Sequence, residues 1–258
     1  MSLYLSRLLL NPRSRQVMSE MAHPYEMHRT LMRAFPKATE DAKSKARDEF
    51  GVLFRAEADD RRGAVKVFAQ SRMEPNWSFL DRLNDYLCTD GETPEYEYKD
   101  ILPAYRRIQD GQVLSFRLRA NPTKRIAKQD DVMKGKRVEL RREEEQIDWL
   151  IRKGQGREKG VPGGFDLLMK RVECMNGQAP LAPCVKVSCE GKQTGRKRDV
   201  VGGHSTTHLA VLFDGLLRVT DTNAFLDTII RGIGPGKAFG FGLLSLAPVS
   251  ASRSEDTR

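Results

Sequence analysis

Apolar residues along the first third of the chain recur with two spacings. Alternating positions and unbroken apolar runs predict strands, and spacings of three to four residues predict amphipathic helices. One helical stretch places Met27, Leu31 and Ala34 on a common face, followed by Phe35, and we expect this face to be buried. The predicted elements are, in order, a strand over 3–10, two helical stretches within 12–35 that break at His23-Pro24, paired strands over 50–57 and 63–70, and a helix over 77–88.

The second half of the chain repeats this order of elements without repeating the sequence. Two βαββαβ units in tandem are typical of a duplicated ferredoxin-like fold, so the pattern predicts an α+β protein with two ferredoxin-like domains and antiparallel sheets. The elements expected here are a strand over 112–120, a helix over 143–153, strands over 184–190 and 207–221 with Asp214-Gly215 as a hairpin turn, a helix capped by Asp221 or Thr222 and ended by Gly232, and a final strand over 239–248.

The same reading divides the chain into two domains. We expect an N-terminal domain over 1–92 and a C-terminal domain over 110–249, the latter with a basic hairpin and a glycine-rich loop. Residues 93–109 mix proline, glycine and charge, which predicts a linker with room for one short strand. The polar residues 250–258 predict a disordered tail.

Composition narrows the class of partner. The chain of 258 residues carries a formal net charge of +9, which favours an anionic partner such as nucleic acid. No apolar run reaches the roughly 18 residues of a membrane span, so no membrane association is expected. Four cysteines in a chain of this length do not predict a disulfide framework, and we expect a cytoplasmic, reduced protein.

The segment PYEMHR, residues 24 to 29, combines three groups suited to chemistry on a phosphate. Pro24 fits the first position of a helix, where free backbone N–H groups favour an anion. Tyr25 and His28 lie three positions apart, on one helix face and off the apolar stripe. An imidazole can transfer protons near neutral pH, and Arg29 can neutralise a phosphate. The alternative is a surface helix with ordinary polar residues.

Two basic segments are candidates for RNA contact. Residues 116–128 carry arginines two apart on one strand face and then a turn at Asn121-Pro122, and residues 186–199 form a basic stretch between two strands that suits a long hairpin loop gripping a stem. The alternatives are a solvated basic strand and a flexible exposed loop. The basic candidates are Arg117, Arg119, Lys124 and Arg125 in the first segment and Lys186, Lys192, Arg196, Lys197 and Arg198 in the second.

The glycine-rich segment GIGPGKAFGFG, residues 232 to 242, carries Lys237 between a helix and a strand. It lacks the GxxxxGK[ST] pattern and the strand-to-helix order of a nucleotide-triphosphate loop. Repeated glycines let backbone amides approach a phosphate, which favours a loop that contacts nucleic acid. A plain connector is the alternative.

A zinc site is the remaining chemical alternative. Cys184, Cys189, His204 and His208 follow the spacing C-x4-C-x14-H-x3-H, which is close to that of zinc fingers. The odd offset between the two cysteines puts their thiols on opposite faces of the predicted strand. We therefore predict no metal and no other cofactor.

Four stretches together resemble the CasE-type CRISPR RNA endonucleases, the repeat-cleaving subunits of type I-E Cascade. They are YLSRLLLNPRSR, HPYEMHRTL, FRLRANPTKR and GIGPGKAFGFGLLSLAP, and the resemblance extends over most of residues 1 to 248. It implies two RRM-related ferredoxin-like domains, binding to the stem-loop of CRISPR repeat RNA, and association with other Cascade subunits. Residues 191 to 205 depart most from the family pattern.

The resemblance also implies a reaction and its residues. The RNA is cut at the 3′ base of the stem without a metal, the 2′-OH attacking the adjacent phosphate to leave a cyclic phosphate, and the mature crRNA stays bound. The family's catalytic histidine and tyrosine fall on His28 and Tyr25, with either one as base or acid, and its stem-gripping hairpin falls on Arg196, Lys197 and Arg198. Arg29, Lys37 or the helix N-terminus could stabilise charge. DNA, which lacks the 2′-OH, should not be cut. A non-catalytic RRM-like RNA-binding scaffold is the alternative.

Overall fold

Two antiparallel sheets, one in each half of the chain, form the framework of the computed structural model. The structure describes residues 1–36, 49–89, 91, 93–125, 137–157, 161–171, 180–196 and 205–249. The first sheet and its helices comprise β1 (Tyr4–Leu10), α1 (Arg15–Ala22), α2 (Pro24–Leu31), β2 (Leu53–Asp59), β3 (Ala64–Ser71) and β4 (Tyr96–Asp100). The remaining elements are α3 (Leu102–Tyr105), β5 (Val113–Ala120), β6 (Thr123–Arg125), β7 (Arg137–Glu139), α4 (Glu143–Gly154), β8 (Phe165–Leu167), β9 (Met169–Arg171), β10 (Leu181–Pro183), β11 (Val185–Arg196), β12 (Ser205–Val219), α5 (Thr222–Arg231) and β13 (Leu244–Pro248).

The order of the strands is the same in the two sheets. It is β2-β3-β1-β4 in the first and β11-β12-β5-β13 in the second, where β8 pairs with the end of β12. If the four strands of each order are renumbered from one along the chain, β5, β11, β12 and β13 become strands 1 to 4 of the second unit, and both orders read 2-3-1-4. Neighbouring strands are antiparallel throughout. This arrangement confirms the predicted α+β class and the tandem ferredoxin-like architecture.

The helix boundaries follow from local chemistry. Pro24 is the first residue of α2, and His23 before it has a non-helical conformation, which separates α1 from α2 as the sequence predicted. In α5 the Asp221 carboxylate accepts a hydrogen bond from the Ala224 N–H at 2.9 Å, and the helix ends at Gly232. Within the described residues, no helix is both long enough and apolar enough to cross a membrane.

Two predicted elements are shorter than expected. The helix predicted over 77–88 is reduced to a 3₁₀ helix over Ser78–Arg82. The buried Trp77 indole donates to the Ser6 hydroxyl, and Asp85 has a φ of 56°, which no right-handed helix can include. The final strand, predicted over 239–248, begins only at Leu244, because the residues before it form a 3₁₀ helix and a glycine-rich turn.

The predicted turn at Asp214-Gly215 is wrong. Both residues lie inside β12, and Gly215 pairs with Val185 of β11 and with Phe116 of β5. A Cβ at this position would collide with the backbone carbonyl oxygen of Cys184. The glycine therefore permits a close approach of two chain segments, a requirement that the DG dipeptide does not distinguish from a turn.

The segment predicted as a linker contains a strand of the first sheet. β4 lies within 93–109 and pairs with β1 from Tyr4↔Asp100 to Leu8↔Tyr96. The short strand expected in this segment is therefore present, and it supplies the fourth strand of the first ferredoxin-like unit. We propose that this unit extends to Asp100. The predicted tail, 250–258, lies outside the described residues.

A buried arginine joins the two sheets. The Arg55 side chain of β2 is 3% exposed, and its guanidinium donates to Glu57, to the Leu243 carbonyl at 3.4 Å and to the Ser245 hydroxyl at 2.9 Å. Glu57 also faces Arg117 of β5 at 3.5 Å. Burial lowers the pKa of Arg55 below its ordinary value, and the Glu57 carboxylate opposes this shift. Glu57 from the first half of the chain and Leu243 and Ser245 from the second half therefore stabilise the buried charge.

We predict that Arg55→Met lowers the free energy of unfolding by about 3 kcal/mol, because the substitution breaks a buried ion pair and leaves buried acceptors of the second sheet without their donor. Urea denaturation followed by circular dichroism measures this change. Arg62→Met, on the exposed turn after β2, is the matched control and should change stability by less than about 0.5 kcal/mol. An equal effect of the two substitutions would contradict the role assigned to Arg55.

A partly buried histidine makes stability sensitive to pH. His208 of β12 lies beside Asn121, with 2.8 Å between its Nδ1 and the Asn121 Nδ2, and its ring packs edge to face on Phe239 with centroids 4.5 Å apart. Burial lowers its pKa below the ordinary value of 6.5, and Glu139 opposes this shift. The folded protein therefore holds His208 neutral at pH values where the unfolded chain binds a proton.

Because the unfolded state binds more protons below about pH 6.5, the His208 contribution to stability is present at neutral pH and is lost as the pH falls. We predict that His208→Gln flattens the fall in unfolding free energy between roughly pH 7 and pH 5. Urea titrations at several pH values in this range measure the difference between the wild type and the variant. Parallel curves for the two proteins would contradict the assignment.

Candidate active site

The two candidate catalytic side chains on α2 are buried. Tyr25 is 6% exposed and His28 is 8% exposed, so the alternative of an ordinary surface helix is wrong. Their ring centroids lie 6.2 Å apart, and the His28 ring stacks on Phe54 of β2 at 6.1 Å. Another face of the helix carries Met27 and Leu31 in the core of the first half, as predicted. The helix therefore has two buried faces, one for the fold and one for the site.

The glycine-rich loop forms the second wall of the site. Its 3₁₀ helix, Lys237–Phe239, is flanked by Gly236 and Gly240 in the left-handed conformation. Phe239 packs on Tyr25 with centroids 5.8 Å apart, and Phe241 joins the same cluster. A Cβ on Gly240 would lie 3.2 Å from the Phe54 ring. The loop therefore needs glycine both for its turn and for its contact with the first sheet, and it brings Lys237 to the side of α2.

A cleft of about 890 Å³ opens between the two halves beside His28. Its walls come from α2, the starts of β2 and β7, the residue after β3, the ends of α4 and α5, and the glycine-rich loop. Among the described residues that line it, five are cationic: Arg72, Arg137, Lys153, Arg231 and Lys237. The imidazole thus faces a space in which negative charge is favoured.

Four of these five cations were missed by the sequence analysis, which identified only Lys237. Arg72 is a single basic residue after β3, and Arg137 is the first residue of β7, directly after Lys136. Lys153 and Arg231 lie in the last turns of helices, where basic residues are common for reasons of helix electrostatics. Tertiary structure alone brings them to one cleft. No local pattern in the sequence would have found them.

The two residues predicted to stabilise charge near His28 are placed differently. Arg29 is an exposed residue paired with Glu26 at 3.4 Å, and it does not line the cleft. Lys37 lies outside the described residues. The cations that line the cleft with His28 are instead Lys237, which was predicted for RNA contact, and the four newly found ones.

Arginines of the predicted basic strand have carboxylate partners. Arg117 and Arg119 share one face of β5, as predicted. Arg117 pairs with Asp214 at 2.6 Å, and the Asp214 hydrogen bond raises the pKa of Arg117 above its ordinary value. Arg119 pairs with Glu190 at 2.5 Å and is only 11% exposed. Both arginines therefore tie strands of the second sheet together, and any contact with RNA would compete with these pairs.

The other basic residues of the two segments are exposed wherever the structure describes their side chains. In the first, Lys124 pairs with Glu145 at 3.0 Å, and Arg125 ends β6. In the second, residues expected to form a loop are strand as far as Arg196, so the hairpin is a long ribbon of β11 and β12 with a bulge between Cys189 and Gly191. Lys186 and Lys192 are exposed on this ribbon, and Lys197 and Arg198 lie outside the described residues.

The cysteines and histidines of the zinc alternative do not converge where they are described. Cys189 is exposed, Cys184 precedes β11, and His208 contacts Asn121 and Phe239. His204 lies outside the described residues. Across the part of the chain that the structure describes, no group of three or more metal-ligating side chains is found.

The arrangement suits acid–base chemistry on a phosphodiester. An imidazole can move protons near neutral pH, and a phenol nearby can donate a hydrogen bond. Cations around the same space can stabilise the negative charge of a pentacoordinate phosphate. What the site brings together is therefore His28, Tyr25 and Lys237 from opposite halves of the chain.

Comparison with known proteins places this geometry in a family. The chain is 37% identical over 248 residues to the CRISPR-associated endoribonuclease Cse3 of Thermus thermophilus, covering 95% of this chain and all of the relative. It is 29% identical over 231 residues to the CRISPR system Cascade subunit CasE of Escherichia coli, covering 87% of this chain and 92% of that protein.

A solved structure agrees over the same length. It is that of Thermus thermophilus Cse3 bound to an RNA representing a pre-cleavage complex, with a TM-score of 0.67 at 36% identity, and the match covers 96% of this chain and all of that one. Residues 3–248 also match the sequence profile of the family described as CRISPR associated protein, so the chain belongs to that family.

Proposed function

We propose that the protein is an endoribonuclease that binds the stem-loop of CRISPR repeat RNA and cleaves it at the 3′ base of the stem. The observation that carries this proposal is the position of His28, which faces a cationic cleft with Tyr25 beside it, in a chain 37% identical to an endoribonuclease. The relatives support the substrate class, since one of them is named a CRISPR-associated endoribonuclease and has been solved with an RNA representing a pre-cleavage complex.

The proposed reaction needs no metal. The 2′-OH before the cut attacks the adjacent phosphorus, the bond from phosphorus to the 5′-oxygen breaks, and the products are a 2′,3′-cyclic phosphate and a 5′-OH. One group removes the 2′-OH proton and another protonates the leaving 5′-oxygen. His28 and Tyr25 share these two transfers. Lys237 supplies positive charge for the phosphorane.

The basic ribbon of β11 and β12 is the proposed binding surface for the stem. Lys186 and Lys192 are exposed there, and Arg196 is the last residue of β11. We propose that Lys197 and Arg198 contact the stem as well. A double-stranded RNA stem presents phosphates and 2′-hydroxyls rather than readable base edges, so cationic side chains along a ribbon suit it. The ribbon then holds the stem while its base lies at His28.

The proposed product stays with the protein as mature crRNA. One relative is named a Cascade subunit, and we propose that this chain likewise joins other Cascade subunits, in the cytoplasm. The RNA stem-loop would be its link to that assembly.

His28→Ala should slow cleavage at least about a hundredfold, because a positioned general acid or base contributes that much or more. Affinity for the stem-loop should stay unchanged, since the imidazole is not part of the basic ribbon. Single-turnover cleavage of repeat RNA and a separate binding titration measure the two effects. His23→Ala, an exposed histidine at the N-cap of the same helix, is the matched control and should cleave like the wild type. Near wild-type cleavage by His28→Ala would show that the site is wrong.

Cleavage should persist in EDTA and should stop when a single 2′-deoxy nucleotide replaces the one before the cut, because the 2′-OH is the nucleophile. Gel analysis of the labelled RNA measures both effects. A requirement for magnesium, or cleavage of the deoxy substrate, would refute the mechanism. Binding without any cleavage would favour the non-catalytic RNA-binding scaffold instead.

A further inference from the structure

The basic ribbon of β11 and β12 extends beyond the sheet that carries it. β12 pairs with β5 from Val211 to Arg218, whereas 205–210 form ladder pairs, among the described residues, only with 191–196 of β11. We call this two-stranded part, 191–196 with 205–210, the outer ribbon. An isolated pair of strands is marginally stable in water, so the sheet alone does not hold the outer ribbon in one direction.

A β-bulge separates the outer ribbon from the rest of β11. Cys189 lies opposite Val211, and Gly191 lies opposite Ala210. Glu190 is therefore the extra residue, without a partner in the ladder. Gly191 has a φ of 90°, a conformation that favours glycine. Because a bulge bends and twists its strand, the direction of the outer ribbon is determined at Glu190.

The bulge lies beside the candidate site. Ala210, which is opposite the bulge, is buried in one cluster with Tyr25, Phe239 and Phe241. This cluster joins α2, the glycine-rich loop and β12, so the ribbon bends where these three elements meet. A change in the bend would therefore move a stem held on the outer ribbon relative to His28.

Arg119 connects the bulge to a strand on the far side of β12. It lies on β5, and its guanidinium reaches past β12 to the Glu190 carboxylate at 2.5 Å. The same guanidinium donates to the Gln193 side chain of the outer ribbon at 3.4 Å. Since the Arg119 side chain is only 11% exposed, solvent screens this ion pair less than it screens a pair on the open surface.

Arg119 is also attached to the glycine-rich loop. Its guanidinium carbon lies over the Phe241 ring, 5.2 Å from the centroid, and its carbonyl accepts a hydrogen bond from the Gly242 N–H at 2.8 Å. The attraction between a cation and an aromatic face favours this placement of the guanidinium. A single residue is thus bonded to the bulge, to the outer ribbon and to the loop that packs on Tyr25.

We propose that Arg119 is a positioning residue for cleavage and that it acts through Glu190, fixing the bend of the ribbon relative to the candidate site. This inference rests on the proposed function, because the bend matters for cleavage only if the outer ribbon holds the stem. Without the ion pair the stem should stay bound, since Lys192 lies on the outer ribbon itself. The scissile phosphate would then reach His28 less often.

Two variants that remove opposite charges test the inference. Glu190→Gln and Arg119→Met should each slow single-turnover cleavage of repeat RNA, at saturating protein, by about tenfold or more, because a misplacement of about 1 Å can cost about a hundredfold. The double variant should cleave no more slowly than the slower single variant, because the two residues act through one contact. Glu190 is an exposed residue, so Glu190→Gln carries the test even if Arg119→Met fails to fold.

Binding is measured separately with an uncleavable stem-loop that has a 2′-deoxy nucleotide before the cut. The affinity of Glu190→Gln for this RNA should not fall, since the substitution removes a negative charge from a cationic surface. Slower cleavage by this variant at saturation then reports the position of the bound RNA and not its loss.

Asp214→Asn is the matched control. It removes the carboxylate of an ion pair with Arg117, on the same face of β5 as Arg119, and the Asp214 side chain is 33% exposed where that of Glu190 is 35% exposed. Asp214 lies in the regular ladder away from the bulge, so this variant should cleave like the wild type. Equal slowing by Asp214→Asn and Glu190→Gln would contradict the inference.

The remaining outcomes separate the two proposals. If Glu190→Gln cleaves at the wild-type rate, or if the effects of the two single variants multiply in the double variant, the inference is wrong although the endoribonuclease stands. If only Arg119→Met slows cleavage and it also weakens binding of the stem-loop, Arg119 contacts the RNA directly and the inference is wrong. If the wild type does not cleave repeat RNA, the proposed function fails and the inference fails with it.

Discussion

The placement of the site depends on a buried charge at the junction of the two sheets. Arg55 is 3% exposed, and its guanidinium bonds to Glu57 of its own strand and to Leu243 and Ser245 next to the glycine-rich loop. Since an uncompensated buried guanidinium is strongly unfavourable, the two halves can close only when those acceptors are in place. The interaction therefore selects one position of the loop relative to β2, the strand that also carries Phe54 beneath His28.

Aromatic contacts connect β2 and the glycine-rich loop to α2, so the position of the loop also determines that of the helix. Gly240 approaches the Phe54 ring, Phe239 packs on Tyr25, and Phe239 is in turn supported by His208 of β12. None of these aromatic contacts reacts with a substrate, yet together they determine where the imidazole lies relative to Lys237. Because helix α2 and the glycine-rich loop belong to different ferredoxin-like units, the candidate site exists only in the joined protein. Duplication of the fold thus creates the cleft as well as enlarging the protein.

The sequence predicted the framework well because strand and helix periodicity are local. The duplicated element order, the break at Pro24, the Asp221 cap and the pairing of Met27 with Leu31 on one face all follow from nearby residues. Asp214-Gly215 misled because a glycine required by a neighbouring chain segment, at Cys184, has the same local signature as a turn. The helix over 77–88 was overestimated because apolar spacing does not reveal the left-handed Asp85.

The residues of the candidate site also differ in whether the sequence could predict them. His28, Tyr25 and Lys237 stood in short motifs and could be identified from the sequence and its family resemblance, whereas Arg72, Arg137, Lys153 and Arg231 have no motif and meet only through the tertiary fold. Arg117 and Arg119 show the converse, since a basic strand suggested RNA contact and the structure gives both residues carboxylate partners. Positively charged side chains in this protein therefore have two roles. Where an acid lies within reach, the positive charge joins strands, and where several cations line one cleft beside His28, it favours an anionic ligand.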